Sequence, residues 1–247
     1  MKSKVFLLTT IAISLAYALK RYLNHLKHQS KNENETSTNT NTTEIGKFDL
    51  GSFKAGDNVL LVGKRCTGKT TMIGKILDSL VDYIPGLIVS PADTYERFYD
   101  KKYIMYESCI HNKYSSDIIT KFIKGKIDNM VGDFTDDKKH FVVLDNCFLH
   151  TDTDKNLTDL LVNGYFYKTI NLLAIPSLFN YDTDLKTKMD YVFIFNDSHI
   201  LSRQKTYTEY FEPLISYQEF DRLMSEYTQD YQCLIIDYNN GGKIYHS

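Results

Sequence analysis

The chain has no tryptophan and no C-x-x-C pair; its four cysteines, Cys66, Cys109, Cys147 and Cys233, stand far apart. That spacing points to reduced thiols rather than a disulfide frame or a cysteine zinc site, and it fits a cytosolic compartment. A basic excess is also missing. Residues 1–43 carry six Lys/Arg against two Glu, so the remaining residues hold 23 basic and 29 acidic side chains and are net acidic by about six. That balance argues against a broad positive grip on nucleic acid, although a channel in an oligomer lined by one or two lysines per subunit would not show in the total. No internal repeat is present, and the absence of tryptophan with high Asn, Ile, Lys and Tyr usage says nothing about mechanism.

Apolar runs are short. Val5 to Leu19, preceded by Lys2 and Lys4 and followed by Lys20 and Arg21, predicts a hydrophobic helix within residues 1–27. Such a helix reaches about 22 Å, below the hydrocarbon core of about 30 Å unless Tyr22, Leu23 and snorkelling lysines extend it. An uncleaved membrane anchor is the favoured reading, against a signal peptide ending near Ala16-Tyr17-Ala18 or a peripheral helix. Residues 28–43, rich in Asn, Thr and Ser, contain almost nothing to bury and predict a disordered linker. A single α/β domain is expected over residues 44–247.

Within that domain, Gly63-Lys64-Arg65-Cys66-Thr67-Gly68-Lys69-Thr70 fits the phosphate-binding loop G-x-x-x-x-G-K-[ST]. Asn58 to Val62 before it reads as a buried strand, and Thr71 to Leu77 after it opens a helix. ATP is the expected ligand over Gly63 to Thr71. Backbone N–H groups would cradle its phosphates, Lys69 would reach the β- and γ-phosphates, and the Thr70 hydroxyl would ligate Mg²⁺. Cys66 reads as filler rather than a redox switch. Further strands are predicted at Gly86–Ser90, Phe141–Asp145, Ile170–Ile175 and Tyr191–Phe195, with a closing pair at Cys233–Tyr238 and Lys243–His246. Helices are predicted at Ser116–Ile127 and Ser216–Tyr227. Strands alternating with helices imply a mostly parallel central sheet flanked by helices.

Asp145 ends a continuous apolar strand, where a P-loop enzyme needs its Mg²⁺-side carboxylate; the alternative is a strand-end cap. Asn146 follows, where a carboxylate would activate water. An amide orients water but cannot take its proton, so Asp152, Asp154 or a neighbouring subunit would have to do so. Lys121, Lys124 and Lys126 either face DNA in a ring lumen or form the solvated side of an amphipathic helix.

Taken together, Phe48-Asp49-Leu50, Val59 to Arg65, Leu87 to Pro91 with Phe98-Tyr99, Val142 to Cys147, Asn163-Gly164, Asp190 to Ile194, Arg203 to Tyr207 and Tyr231 to Asp237 resemble the genome-packaging ATPases of large nucleocytoplasmic DNA viruses. The resemblance spans residues 45–247 and implies the FtsK–HerA branch of P-loop motors. It implies a homo-oligomeric ring, double-stranded DNA as the translocated partner, capsid or portal proteins as further partners, and a place at the cytoplasmic assembly site or in the virion. The sequence also departs from that pattern. Tyr165-Phe166 stands for Arg-His after Asn163-Gly164, Pro176 and Ser177 fall where a Gln is usual, and Lys186 and Lys188 replace arginines. Arg203 is the remaining candidate for a trans-acting arginine. A hydrolysis-poor virion assembly factor is the second reading, and a nucleotide kinase the third.

Overall fold

The computed structural model describes residues 44–132, 138–147, 154–176 and 183–247. The predicted N-terminal helix, the linker up to residue 43, and Asp152 lie outside them. Among the described residues, no helix is long and apolar enough to cross a membrane.

Eight strands form one sheet: β1 (Asn58–Val62), β2 (Tyr83–Val89), β3 (Ile110–His111), β4 (Lys139–Asp145), β5 (Thr169–Ile175), β6 (Tyr191–Phe195), β7 (Cys233–Asp237) and β8 (Lys243–His246). Their order is β3-β2-β4-β5-β1-β6-β7-β8. Pairing is parallel from β3 across to β6 and antiparallel for β7 and β8. The predicted strands all form. β2 starts three residues earlier than expected and β4 two, while the tyrosine-rich stretch after β2 folds into two short helices, Asp93–Glu96 and Phe98–Lys102.

β1 and β5 are buried at every position, as continuous apolar strands covered on both faces must be. Alternate side chains enter different cores. Leu60, Val62, Val142, Leu144, Val192 and Ile194 meet the helices Ser116–Gly132, Lys155–Val162 and Tyr217–Tyr227 on one side. On the other, Val59, Leu61, Val143, Phe193 and Phe195 meet Met72, Ile73 and Ile76 of the helix Lys69–Ser79. The segment before β1 joins this second layer: Phe48 donates its N–H to the His246 carbonyl at 2.8 Å, and its ring lies 5.5 Å from Tyr191 and 5.6 Å from Tyr245. Residues 45–247 thus form one compact unit.

Besides Asp93–Glu96 and Phe98–Lys102, three α-helices among the described residues were not anticipated: Lys155–Val162, Thr183–Thr187 and Ile200–Thr206. Lys126 is a correction: Lys121 and Lys124 are exposed, but Lys126 is buried with its Nζ 2.9 Å from His140 Nδ1. The three lysines therefore share no solvated face, and only two of them remain available to a charged partner.

Candidate functional site

β1 lies where the connections diverge: the chain leaves it towards β2 on one side, while β6 pairs with it on the other. Crevices at the carboxyl ends of parallel strands form at such a switch point. The loop Gly63 to Thr70 occupies that place. Gly68 has φ 99°, a left-handed conformation that glycine adopts without strain, and a Cβ there would stand 2.8 Å from the Tyr231 Cβ. Lys69–Ser79 then begins with no side-chain cap, so its first-turn N–H groups have no side-chain acceptor and favour an anion.

Lys69 is 4% exposed, and its Nζ donates to the carbonyls of Gly63 at 2.6 Å and Lys64 at 2.9 Å. Two of its three donors are used in this way among the described residues. Burial pushes its pKa down, offset in part by the Asp145 charge. A bound anion would restore what burial removes.

Asp145 reaches the same point although its strand is not adjacent to β1. β5 lies between them, with Ile175 level with Val62 and Ala174 level with Asp145. Two strand spacings, roughly 10 Å, are closed by side chains: Thr70 Oγ1 donates to Asp145 Oδ2 at 2.8 Å. Tyr99 Oη donates to the same oxygen at 2.9 Å. Oδ1 is buried and has no hydrogen-bond partner among the described residues. Burial drives the carboxyl above its ordinary range against the hydrogen bonds from Thr70 and Tyr99 and the charge of Lys69.

An orphaned carboxylate oxygen beside a threonine hydroxyl is an all-oxygen donor set that fits a hard divalent cation such as Mg²⁺. Among the described residues no group of three or more His, Cys, Asp or Glu side chains could hold a metal alone.

Asn146 sits beside Asp145 at φ 55°, and its Oδ1 is buried without a partner among the described residues. Asp154 does not serve as a spare base. Its carboxylate caps the helix Lys155–Val162, accepting from the N–H groups of Asn156 and Leu157, from Tyr114 Oη at 2.6 Å and from Ser116 Oγ at 2.8 Å. Cys66 is also corrected: it is exposed at φ 63° rather than packed as filler. Lys64, at the loop's outer edge, pairs with Asp197 at 2.6 Å. Arg65, Thr67 and Thr71 stay with the loop and its helix, where Thr67 Oγ1 donates to the Lys64 carbonyl at 2.8 Å.

Arg203 lines a small cleft with Gly63, Pro176, Asp197 and Ser202 of its own subunit. Its side chain is only 18% exposed, and Nη2 bonds Asp221 Oδ1 at 2.5 Å. The Nε is buried without a partner among the described residues. Within its own chain Arg203 thus shares a cleft with Gly63, the first residue of the loop. Lys186 and Lys188 lie before β6, at the end of the sheet opposite the loop.

Sequence reasoning did not single out Tyr99 or Tyr231 as site residues. Tyr231 is 67% exposed at φ 63° and stands against Gly68, a contact with no local signature in the sequence.

No family model matches the chain. The chain is similar to uncharacterized proteins of large DNA viruses. One from Acanthamoeba polyphaga mimivirus is 22% identical over 206 residues, covering 78% of this chain and 71% of that protein. One from Frog virus 3 is 26% identical over 192 residues, covering 76% and 58%. Another, from Invertebrate iridescent virus 6, is 29% identical over 195 residues, covering 74% and 70%. Among solved structures, the DNA-packaging ATPase from Sulfolobus Turreted Icosahedral Virus superposes with a TM-score of 0.54 at 14% identity, covering 78% of this chain and 98% of that one. The genome packaging NTPase from Sulfolobus turreted icosahedral virus 2, in complex with ATP-gammaS, gives 0.54 at 13% identity over 78% and 98%. The chain thus resembles viral packaging ATPases, and what the likeness carries is the α/β fold with its mostly parallel sheet.

Proposed function

We propose that this chain is a P-loop motor that uses Mg·ATP to translocate double-stranded DNA into a viral capsid. The observation that carries the reading is the convergence of Lys69, Thr70 and Asp145 at the carboxyl ends of β1 and β4, with Thr70 and Asp145 in direct contact at 2.8 Å. Similarity to packaging ATPases in fold supports the choice of DNA as the moved substrate. Lys69 and the first turn of its helix would bind the phosphates, while Thr70 and Asp145 would hold Mg²⁺. The cation supplies neutralisation of the phosphate charge when bound. Arg203, which lines a cleft with Gly63 and has an Nε without a partner among the described residues, would stabilise charge on the terminal phosphate once released from Asp221. A homo-oligomeric ring, capsid or portal proteins, a place at the cytoplasmic assembly site or in the virion, and an anchor through residues 5–19 complete the proposal.

Asn146 favours a second reading, a hydrolysis-poor assembly factor, because the side chain next to Asp145 is an amide and Asp154 is occupied as a cap. Phosphate release by the full-length chain, with and without duplex DNA and beside Lys69→Ala, separates the two. DNA-stimulated release that Lys69→Ala abolishes is the expected result. Tight ATP binding with no release under either condition overturns the motor in favour of the assembly factor, and phosphate transfer to an added nucleoside would indicate a kinase.

A further inference from the structure

Tyr99 has no solvent exposure, and a buried phenol needs an acceptor for its proton. It spends that proton on Asp145 Oδ2, the oxygen that Thr70 already occupies. The approach is fixed by a short scaffold after β2. Both oxygens of buried Asp93 take backbone N–H groups, from Tyr99 at 2.8 Å and Asp100 at 3.0 Å. Arg97, at φ 52°, breaks Asp93–Glu96 from Phe98–Lys102. Phe98 then lies against Gly74 of the loop's own helix, where an added Cβ would stand 2.8 Å from its ring, and meets Tyr99 edge-on at 5.0 Å. A segment that neither belongs to the loop nor follows β4 is thereby held to both.

The terminal torsion of a carboxylate is broad and roughly two-fold, so one donor leaves its two oxygens free to exchange places. Two donors arriving from different elements do not. We propose that Tyr99 is a positioning residue for the metal-side carboxylate: with Thr70 it saturates Asp145 Oδ2 and reserves Oδ1 for a divalent cation. The inference rests on the reading of this site as one for Mg²⁺ and nucleoside triphosphate. If Tyr99 only filled the core, its ring would matter and its hydroxyl would not.

The test is the Mg²⁺ dependence of N-methylanthraniloyl-ATP binding to the full-length chain, followed by fluorescence, with affinity in EDTA as the internal reference. Tyr99→Phe keeps the ring and removes one proton donor. Partners one layer behind a metal ligand typically change metal affinity by 10–100-fold, so the Mg²⁺ concentration at half-effect should rise about tenfold while affinity in EDTA stays within about twofold. Asp93→Asn, which loosens the Tyr99 backbone without touching Asp145, should shift the half-point the same way by less and decides the matter if Tyr99→Phe does not fold. Half-points within twofold of wild type, in an otherwise Mg²⁺-responsive protein, would overturn the positioning role alone. A wild-type chain that binds nucleotide with no response to Mg²⁺ would overturn the site reading and this inference together.

Discussion

The two ends of the parallel sheet treat buried polar groups in opposite ways. At the amino end, Asn58 donates its N–H to Asp190 Oδ2 at 2.8 Å and its Nδ2 to the carbonyls of Leu161 and Lys188, while its Oδ1 accepts from Asn171 Nδ2 at 2.7 Å. Only Asn171 Oδ1 is left over in that group. At the carboxyl end, Asp145 Oδ1, Asn146 Oδ1 and Arg203 Nε are all buried without partners among the described residues. Each such atom costs about 1–3 kcal/mol, and more when charged. The lesson is that the amino end is built for stability, whereas the carboxyl end leaves buried polar groups open to a ligand or water.

The contrast is tested most severely by Lys69→Ala. Nucleotide affinity should fall by at least about a hundredfold, or about 3 kcal/mol. The melting temperature of the unliganded chain should fall less than in Asn58→Ala, because removing a desolvated ammonium offsets the loss of its bonds to the Gly63 and Lys64 carbonyls; a large fall would make Lys69 a structural residue. Asn58→Ala should do the reverse. Leaving two carbonyls and an amide unpaired costs about 2–3 kcal/mol in urea unfolding, with nucleotide affinity of the folded protein unchanged. Affinity falling in step with stability would erase the distinction between the ends.

Smaller changes sharpen it. Asn146→Asp tolerates the left-handed backbone and supplies a proton acceptor, so steady-state phosphate release should rise about tenfold, equivalent to about 1.4 kcal/mol of barrier. No change would mean that another group activates the water. Asp154 is the control within the carboxyl end, since its carboxylate is fully engaged. Burial alone would raise its pKa, but hydrogen bonds from Tyr114, Leu157, Ser116 and Asn156 outweigh this and hold it below the ordinary range. A depressed folded value means stabilisation that is present above the unfolded carboxylate pKa and lost as pH falls through the folded one. Asp154→Ala should therefore cost about 1 kcal/mol near neutral pH and flatten the acid limb of stability against pH, with little effect on nucleotide affinity.

Much of the fold was legible because burial leaves a linear trace. Continuous apolar runs marked β1, β4, β5 and β6, and Ser216 marked the start of Tyr217–Tyr227, where its Oγ accepts from the Glu219 N–H. Lys155–Val162 was missed although Asp154 caps it, and Lys126 was assigned to a solvated face that it does not join. Both errors have one cause: a charged side chain reads as exposed until its partners, here Tyr114 and Ser116 for Asp154 and His140 for Lys126, are known. Tyr99 is harder still. It is one tyrosine among 19, and nothing within several residues of it announces a carboxylate 46 positions away.

By itself the sequence determined the phosphate loop, because that chemistry depends on backbone spacing: glycines where the chain must turn, then Lys69 and Thr70 on the first turn of a helix. It also determined that Asp145 would end a buried strand. Only the tertiary structure decided that β5 separates β4 from β1, that Thr70 and Tyr99 close the gap onto one carboxylate oxygen, and that Arg203 pairs with Asp221 beside a cleft it shares with Gly63. Local geometry can be written in a run of adjacent residues. Which oxygen of a carboxylate is filled and which is left open depends on elements that meet only when the sheet has assembled.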